Sequence, residues 1–461
     1  MELQDQKEQV FAEKPKVSLV NPCSINKGIL RLSPSQYQDT IDQFRNSPVD
    51  LSFFIPASGS GSRMFEFLHN FFKDTSHKDR NKVERFLNSL QDFAITRLIP
   101  NEVREQLENG SMDLKSFAAY IVEDGGLGLG NLPKGLIPFH ENSYFILNPF
   151  QEHVLQICKS FSDKTKVHFT INGKYEEAIK SSIEQAKRMS AYDPEIGFSE
   201  QSPASDSYVF FENREPVRND AGSYLRRPSG HGALLENLNA LQSRFLFIKN
   251  IDNIQHFNHD SSVNDFAMLG GLLCQLNEDL EIIFNNKHDE RLPLLAELNR
   301  KFQLFQDLEG FPKEEEALNR WLNRPKRVCG MVKNEGQPGG GPFWVNNNGV
   351  VDKQIVEKAQ ISEDNAQLSI LLKSTHFNPV MLACDTHDLD SNKIDLNKHA
   401  DPDSYMVVEK NQNGEKVFFV EKPGLWNGGM AHWITVFVEV SSNSFSPVKD
   451  ILNLLDAKHR P

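Results

Sequence analysis

The residues best suited to chemistry in this 461-residue chain are cations set beside glycines. In LSFFIPASGSGSRMFEFL (51–68) an apolar run breaks into serines and glycines, meets Arg63, and resumes with helix-like spacing. Gly59 and Gly61 allow backbone conformations closed to other residues and let a ligand approach the main chain. Amides of such a loop, followed by a helix N-terminus, form a ready anion site. The Arg63 guanidinium adds a planar fork suited to phosphate oxygens. The loop lacks the Gly-Lys-Ser/Thr of a Walker A motif, and it is not the G-x-G-x-x-G dinucleotide fingerprint. By itself it reads equally well as a serine-rich turn without a ligand.

Other segments join it. Lys134, in LPKGLIPF (132–139), lies between Pro133 and Gly135, a stiff and then permissive pair that presents one ammonium at a fixed place. RRPSGHGALLENL (226–238) brings a second Gly-x-Gly, with His231 between Gly230 and Gly232. That imidazole either contacts a nucleotide or bonds a neighbouring carbonyl. FLFIKNIDNI (245–254) ends a strand with Asn250, Asp252 and Asn253. A carboxylate at the C-terminal end of such a strand is where α/β folds hold ligands and hard cations such as Mg²⁺. Asp252 is therefore the metal candidate, against the alternative of an ordinary strand-end turn carboxylate.

Taken in order, these segments resemble the UDP-sugar pyrophosphorylases, nucleotidyltransferases of the UDP-glucose and UDP-N-acetylhexosamine type. ASGSGSR is similar to that family's Gly-Gly-x-Gly-Thr-Arg-like loop, with Ser58, Ser60 and Ser62 as departures. LPKGLIPF is similar to its Pro-Lys-Gly segment, PSGHG to its Gly-His-Gly turn, and NIDN to its Asp-Asn strand end. The resemblance implies further residues: Gln201 in FSEQS for the uracil edge, Glu357 in IVEKAQIS and Asn378 in STHFNPVML for sugar hydroxyls, and Lys449 in FSPVKD for phosphate. The whole chain also resembles a bacterial domain-of-unknown-function family, read as a branch of the same superfamily.

What the resemblance implies is a GT-A-like (Rossmann-like) α/β fold, a mixed sheet flanked by helices, and the reaction of a sugar-1-phosphate with UTP to give a UDP-sugar and pyrophosphate, with Mg²⁺. Ser58, Gly59, Ser60, Gly61 and Ser62 then cradle the triphosphate, and Gly230, His231 and Gly232 join the nucleotide site. Arg63, Lys134 and Lys449 would steady the leaving pyrophosphate. Such a reaction needs no general base, because a phosphate monoester with a second pKa of about 6 is already largely ionised near neutrality. It needs two anions held in line and charge neutralised on the leaving group. Two rivals remain: a GT-A-type glycosyltransferase consuming a nucleotide sugar, and a nucleotide- or sugar-phosphate-binding protein without turnover.

These residues must be positioned by a sizeable scaffold. Candidate strands are LSFFIP (51–56), VHFTI (167–171), SYVFF (207–211), FLFIKN (245–250), RVCGMV (327–332) and VVDKQIV (350–356). Near-continuous apolar strands separated by helices indicate a largely parallel or mixed sheet. SPSQYQDTIDQF predicts a helix starting near Ser33 with Pro34 in its first turn. Residues 1–50 read as an N-terminal helical extension and 51–390 as the catalytic domain, with helical insertions near 74–123 and 265–325. Residues 391–461 read as a small C-terminal region of strands leading into a final turn and helix, completing the site. The stripe Leu272, Leu273, Leu276, Leu280, Ile283 and Phe284 reads as core.

Bulk properties narrow the classes. A formal net charge of −13 argues against nucleic-acid and anionic-membrane binding, so any anion site is a local basic pocket. The expected partners are UTP, or another nucleoside triphosphate, and a sugar-1-phosphate. Oligomeric state stays open. MELQDQKEQVF shows no basic-then-apolar leader, and no apolar run approaches about 18 residues, so the expectation is a soluble, cytoplasmic protein. Five scattered cysteines without a Cys-x-x-Cys pair suit a reducing compartment and give no zinc or redox signal.

Overall fold

The computed structural model describes residues 2–460 apart from 74–78, 143, 162–164, 191, 258, 308–312, 337–338, 348 and 413. The chain forms two compact units, each assembled from three separated segments. The first comprises Met1–Ser52, Gln201–Ile248 and Asn264–Ser442, and the second Phe53–Glu200, Lys249–Val263 and Asn443–Pro461.

The second unit carries most of the strand Leu51–Pro56, followed in sheet order by Lys166–Ile171 and Ile196–Glu200, the last two parallel. The apolar run of LSFFIP is buried from Leu51 to Ile55, as a strand covered on both faces requires. A helical block lies in the same unit: Glu66–Phe72, Arg80–Asn88, Asn101–Glu108 and Leu114–Val122. Its apolar faces meet in one cluster that includes Phe65, Phe67, Phe86, Leu90, Phe93, Phe117 and Val448. Burying each such phenylalanine stabilises by roughly 1.5–3 kcal/mol. The cluster thereby fixes two chain segments far apart in sequence, one beginning beside Arg63 and one ending beside Lys449. The expected insertion near 74–123 is helical from Arg80 onward, and its first residues, 74–78, lie outside the described residues.

The first unit holds a mixed sheet in the order Ser24–Ile25, Gly28–Leu30, Ile434–Glu439, Lys326–Lys333, Met381–Asp385, Phe245–Lys249. Lys326–Lys333 runs parallel to Ile434–Glu439 and antiparallel to Met381–Asp385. Two smaller antiparallel sheets accompany it. One joins Leu19–Pro22, Gly341–Asn347 and Val350–Val356, and the other joins Phe210–Phe211, Glu415–Glu421 and Met406–Gln412. Residues 1–50 thus supply three strands as well as helices.

The helix Pro34–Asn46 begins where its sequence says. Ser33 and Gln36 form a reciprocal capping box and Pro34 opens the first turn. It packs on Gly270 and Gly271 of the helix Asp260–Asn285, where an added Cβ on Gly271 would stand 2.1 Å from the Thr40 carbonyl. Leu272, Leu273, Leu276, Leu280 and Ile283 of that helix are buried, as the stripe predicts, whereas Phe284 at its end is half-buried. In the block 265–325, residues 308–312 lie outside the described residues.

Two expectations change. SYVFF is not one strand: Ser207–Tyr208 pairs with Arg226–Arg227, whereas Phe210–Phe211 pairs with Glu415–Glu421. After Ile434–Glu439 the described residues form short 3-10 turns, Ser442–Ser444, Ile451–Leu455 and Ala457–His459, instead of a closing α-helix. The segment is pinned by contacts of Val448, Ile451 and Leu452 with the helical block, so it has no need of a continuous helix. All five cysteines are free and buried, and burial pushes the Cys23 thiol up to about 12. No helix among the described residues is long and apolar enough to cross a membrane.

Candidate functional site

In the second unit the loop after Leu51–Pro56 is stitched to the Lys134 segment by main-chain bonds. Gly61 N–H donates to the Leu132 carbonyl (2.8 Å) and Lys134 N–H donates to the Gly59 carbonyl (3.1 Å). Neither Gly59 nor Gly61 has a left-handed φ, which corrects the expectation of unusual backbone conformations here. Gly61 is glycine for room, because a Cβ there would stand 2.4 Å from Ile137 Cδ1. Gly59 faces open space. Ser58 is half-buried, Ser60 and Ser62 are exposed, and their hydroxyls (Ser60 Oγ, Ser62 Oγ) lie 2.9 Å apart. Arg63 is exposed and makes no hydrogen bond or ion pair among the described residues.

Lys134 and Asp252, 118 positions apart, form an ion pair with Nζ 2.9 Å from Oδ2, and the ammonium also donates to the Val448 carbonyl at 2.9 Å. Gly135 lets this turn seat against Phe150, whose ring leaves only 2.5 Å for a Cβ. The Asp252 segment and the Ser444–Val448 segment run side by side. Val448 N–H donates to the Asp252 carbonyl (3.0 Å), Ser446 N–H to Asn253 Oδ1 (2.8 Å), and Gln255 Nε2 to Ser446 Oγ (2.7 Å). Lys449 follows directly, exposed, with its backbone N–H donating to Asn453 Oδ1 (3.0 Å) and no side-chain partner among the described residues. The unit therefore brings the serine-glycine loop's anchor, Lys134, Asp252 and the Lys449 segment together. Asp252 Oδ1 has no hydrogen bond among the described residues.

In the first unit the PSGHG turn meets GLWNGG. Gly230 has φ 73°, and a Cβ there would stand 2.9 Å from Glu421 Oε2. A Cβ on Gly232 would stand 2.2 Å from the Pro423 carbonyl. The His231 ring stacks on Trp426, with centroids 4.2 Å apart at 18°. Leu425 N–H donates to His231 Nδ1 (3.0 Å), which leaves Nε2 turned to Glu357 Oε1 at 3.6 Å. Asn427 Nδ2 donates to Glu357 Oε1 (3.1 Å) and to Gln360 Oε1 (3.2 Å). Hydrogen bonding to His231, helped by Asn427, holds the Glu357 carboxyl below its usual range despite burial. Asn427 Oδ1 is buried without a hydrogen bond among the described residues.

Two further expected residues are held by partners of their own. Gln201 is half-buried and donates to Asp206 Oδ1 at 3.3 Å. Asn378 is 4% exposed, donates to the Gly330 carbonyl (2.9 Å), and accepts from Val380 N–H (3.0 Å). Its carboxamide is engaged by backbone at both ends, bracing Val380 at φ 60°. A cavity of about 610 Å³ in the first unit is lined by Arg324, Asp352, Gln354, Asp401 and His432 among others, and by none of the expected site residues.

Sequence reasoning passed over Trp426 and Asn427, although the three glycines of GLWNGG mark a close backbone turn. It also passed over a buried cluster in the second unit, where Glu152 meets His140 and His256, because no spacing links these three.

A family model matches residues 1–460, and its description is "Domain of unknown function (DUF4301)". The chain belongs to that family. No curated protein matches it in sequence. Among solved structures it is similar to a Trypanosoma brucei uridine diphosphate N-acetylglucosamine pyrophosphorylase crystallised with an inhibitor. That match has 12% identity, covers 93% of this chain and 69% of the other, and has a TM-score of 0.51. A protein of Entamoeba histolytica described as a UDP-N-acetylglucosamine pyrophosphorylase matches at 13% identity over 94% of this chain and 83% of its own, with a TM-score of 0.48. A T. brucei protein described as UDP-glucose phosphorylase matches at 13% identity over 95% and 69%, with a TM-score of 0.41. The first similarity shows a shared fold for this DUF4301 chain, a mixed sheet flanked by helices, as the sequence resemblance implies.

Proposed function

We propose that this protein is a nucleotidyltransferase that joins a sugar-1-phosphate to UTP and releases pyrophosphate in the presence of Mg²⁺. The observation that carries the reading is the convergence, within the second unit, of the Ser58–Ser62 loop, Lys134, Asp252 and the segment ending at Lys449. The fold shared with the pyrophosphorylase of T. brucei supports it.

In this reading Arg63 and Lys449, exposed and unpaired among the described residues, take the phosphate oxygens of the incoming nucleotide. Lys134 steadies the leaving pyrophosphate from its seat beside Asp252. Asp252 would hold Mg²⁺, which when bound would supply Lewis-acid stabilisation of charge on the phosphates. Loop amides from Gly59 to Ser62 complete the cradle. Within the first unit, the Gly230–Gly232 turn, His231 and Glu357, steadied by Asn427, form a second group of proposed polar contacts for nucleotide or sugar. Gln201 reads the base once it exchanges its bond to Asp206, which is the smaller cost because that contact is 3.3 Å long. The proposed compartment is the cytoplasm.

A second reading, nucleotide binding without turnover, is favoured by one observation: the Lys134–Asp252 pair already neutralises both groups. One experiment separates the two. Purified protein is given Mg²⁺, each nucleoside triphosphate in turn and a panel of sugar-1-phosphates, and pyrophosphate release is followed. Release with one pair is the expected result and names the substrates. Silence across the panel, with UTP still raising the melting temperature, would replace the first reading by the second.

A further inference from the structure

We propose that His140 Nδ1, His256 Nδ1 and the Glu152 carboxylate bind one zinc-like divalent cation, separate from any Mg²⁺ on Asp252. The three side chains come from the short strand His140–Glu141, the helix Pro149–Ser160 and the loop four residues past Asp252. Their ligand atoms all lie within 4.8 Å of one another. Glu152 is 2% exposed and His140 4%, so the carboxylate has no water to balance its charge. Each carboxylate oxygen faces one imidazole nitrogen, Oε2 to His140 Nδ1 at 2.6 Å and Oε1 to His256 Nδ1 at 2.7 Å. The two rings are stacked at 27°, which turns both Nδ1 atoms to the same carboxylate.

Behind this cluster His140 Nε2 meets His459 Nδ1 at 2.9 Å. The donor set, two imidazoles and one carboxylate, is that of zinc and its neighbours, whereas Mg²⁺ prefers oxygen throughout. Zinc ligands at about 2.0–2.2 Å lie roughly 3.4 Å apart in a tetrahedron, so the two short contacts need open by under about 1 Å. His459 behind His140 is the outer partner such a ligand normally has. His256, with a side chain 20% exposed, leaves a way in.

The ion would act as a strut. It ties the helix Pro149–Ser160 to the segment that carries Asp252, along which His153 Nε2 already bonds the Ile251 carbonyl (3.1 Å) and Gln156 Nε2 the Gln255 carbonyl (2.5 Å).

The test uses full-length protein stripped with a chelator, loaded with Zn²⁺ and desalted, with metal per chain read by mass spectrometry and unfolding followed by heat. The expected result is about one zinc per chain and a melting temperature raised by several degrees. His256→Asn, at the most exposed ligand, should lose both effects while keeping the far-ultraviolet dichroism of the native chain. His459→Phe should keep the ion at an affinity lowered about 10–100-fold, and Asp252→Asn should keep the same zinc per chain and the same zinc-induced rise in melting temperature. The proposal is overturned if the wild type retains no more zinc than His256→Asn. It is equally overturned if Co²⁺ gives the same absorption spectrum in both, since the ion would then sit elsewhere.

Discussion

Asp252 and Glu152 are both buried carboxylates facing nitrogen within the second unit, yet they are built for different things. Asp252 is held on one oxygen by a lysine, whose ammonium has no lone pair to offer a metal. Its second oxygen is uncommitted among the described residues. Glu152 is held on both oxygens by imidazoles, whose nitrogens can surrender a proton and become ligands. The Lys134–Asp252 pair keeps 14% and 12% side-chain exposure, against 3% and 1% for His140–Glu152. A half-open pair with a free oxygen can exchange partners during a reaction cycle. A cluster with both carboxylate oxygens engaged serves as support. Glu357 in the first unit stands between them, accepting from Asn427 and facing His231 at 3.6 Å.

The sharpest way to break this contrast is to remove the cations of the exchangeable side. Arg63→Ala should lower pyrophosphate release by about 10²–10³-fold with an unchanged melting temperature, since the side chain is exposed and unpaired among the described residues. Lys134→Ala should lose as much activity and, by stranding the Asp252 charge, also destabilise by up to about 3 kcal/mol. Near-normal turnover in either variant, measured under saturating substrates, would remove that residue from the reaction.

Next comes the metal. Asp252→Asn should raise the half-saturating Mg²⁺ concentration about tenfold, the 1.4 kcal/mol of a lost charged ligand, and an unchanged Mg²⁺ titration would contradict the assignment.

The two loop glycines give a smaller effect that still divides structure from function. Gly61→Ala drives a methyl into Ile137 and should cost about 1–3 kcal/mol in chemical denaturation. Gly59→Ala points into open space and should stay within about 0.5 kcal/mol. A loss of activity in the second variant would therefore report the ligand.

The smallest effect is in Glu357. Its carboxyl is depressed in the folded state, so its contribution to stability is complete above its ordinary value of 4.5 and fades as pH falls through the depressed one. Glu357→Gln should flatten the acid limb of a stability–pH curve, and identical limbs would deny the interaction with His231.

Some of this was legible before the fold was known. The helix Pro34–Asn46 carries its own start signals in Ser33, Pro34 and Gln36, all within one turn, and so does the buried strand LSFFIP. The loop ASGSGSR was found for its glycines, but the reason differed: Gly61 makes room for Ile137 and needs no special φ. SYVFF misled because one apolar stretch pairs with two different partners, a choice made by residues far along the chain. Asn378 was chosen as a polar residue near a resembling motif, and only its backbone partners at Gly330 and Val380 tell what it holds.

By itself, then, the sequence determined where most strands and helices begin and singled out cations beside glycines as phosphate candidates, because those signals act over a few neighbouring positions. The tertiary structure alone decided which charges meet. Lys134 finds Asp252 and Val448 across 118 and 314 positions, and Glu152 gathers histidines from positions 140 and 256. No local pattern encodes such meetings, since they follow from the burial of Phe65, Phe86, Phe117, Val448 and their neighbours in one core.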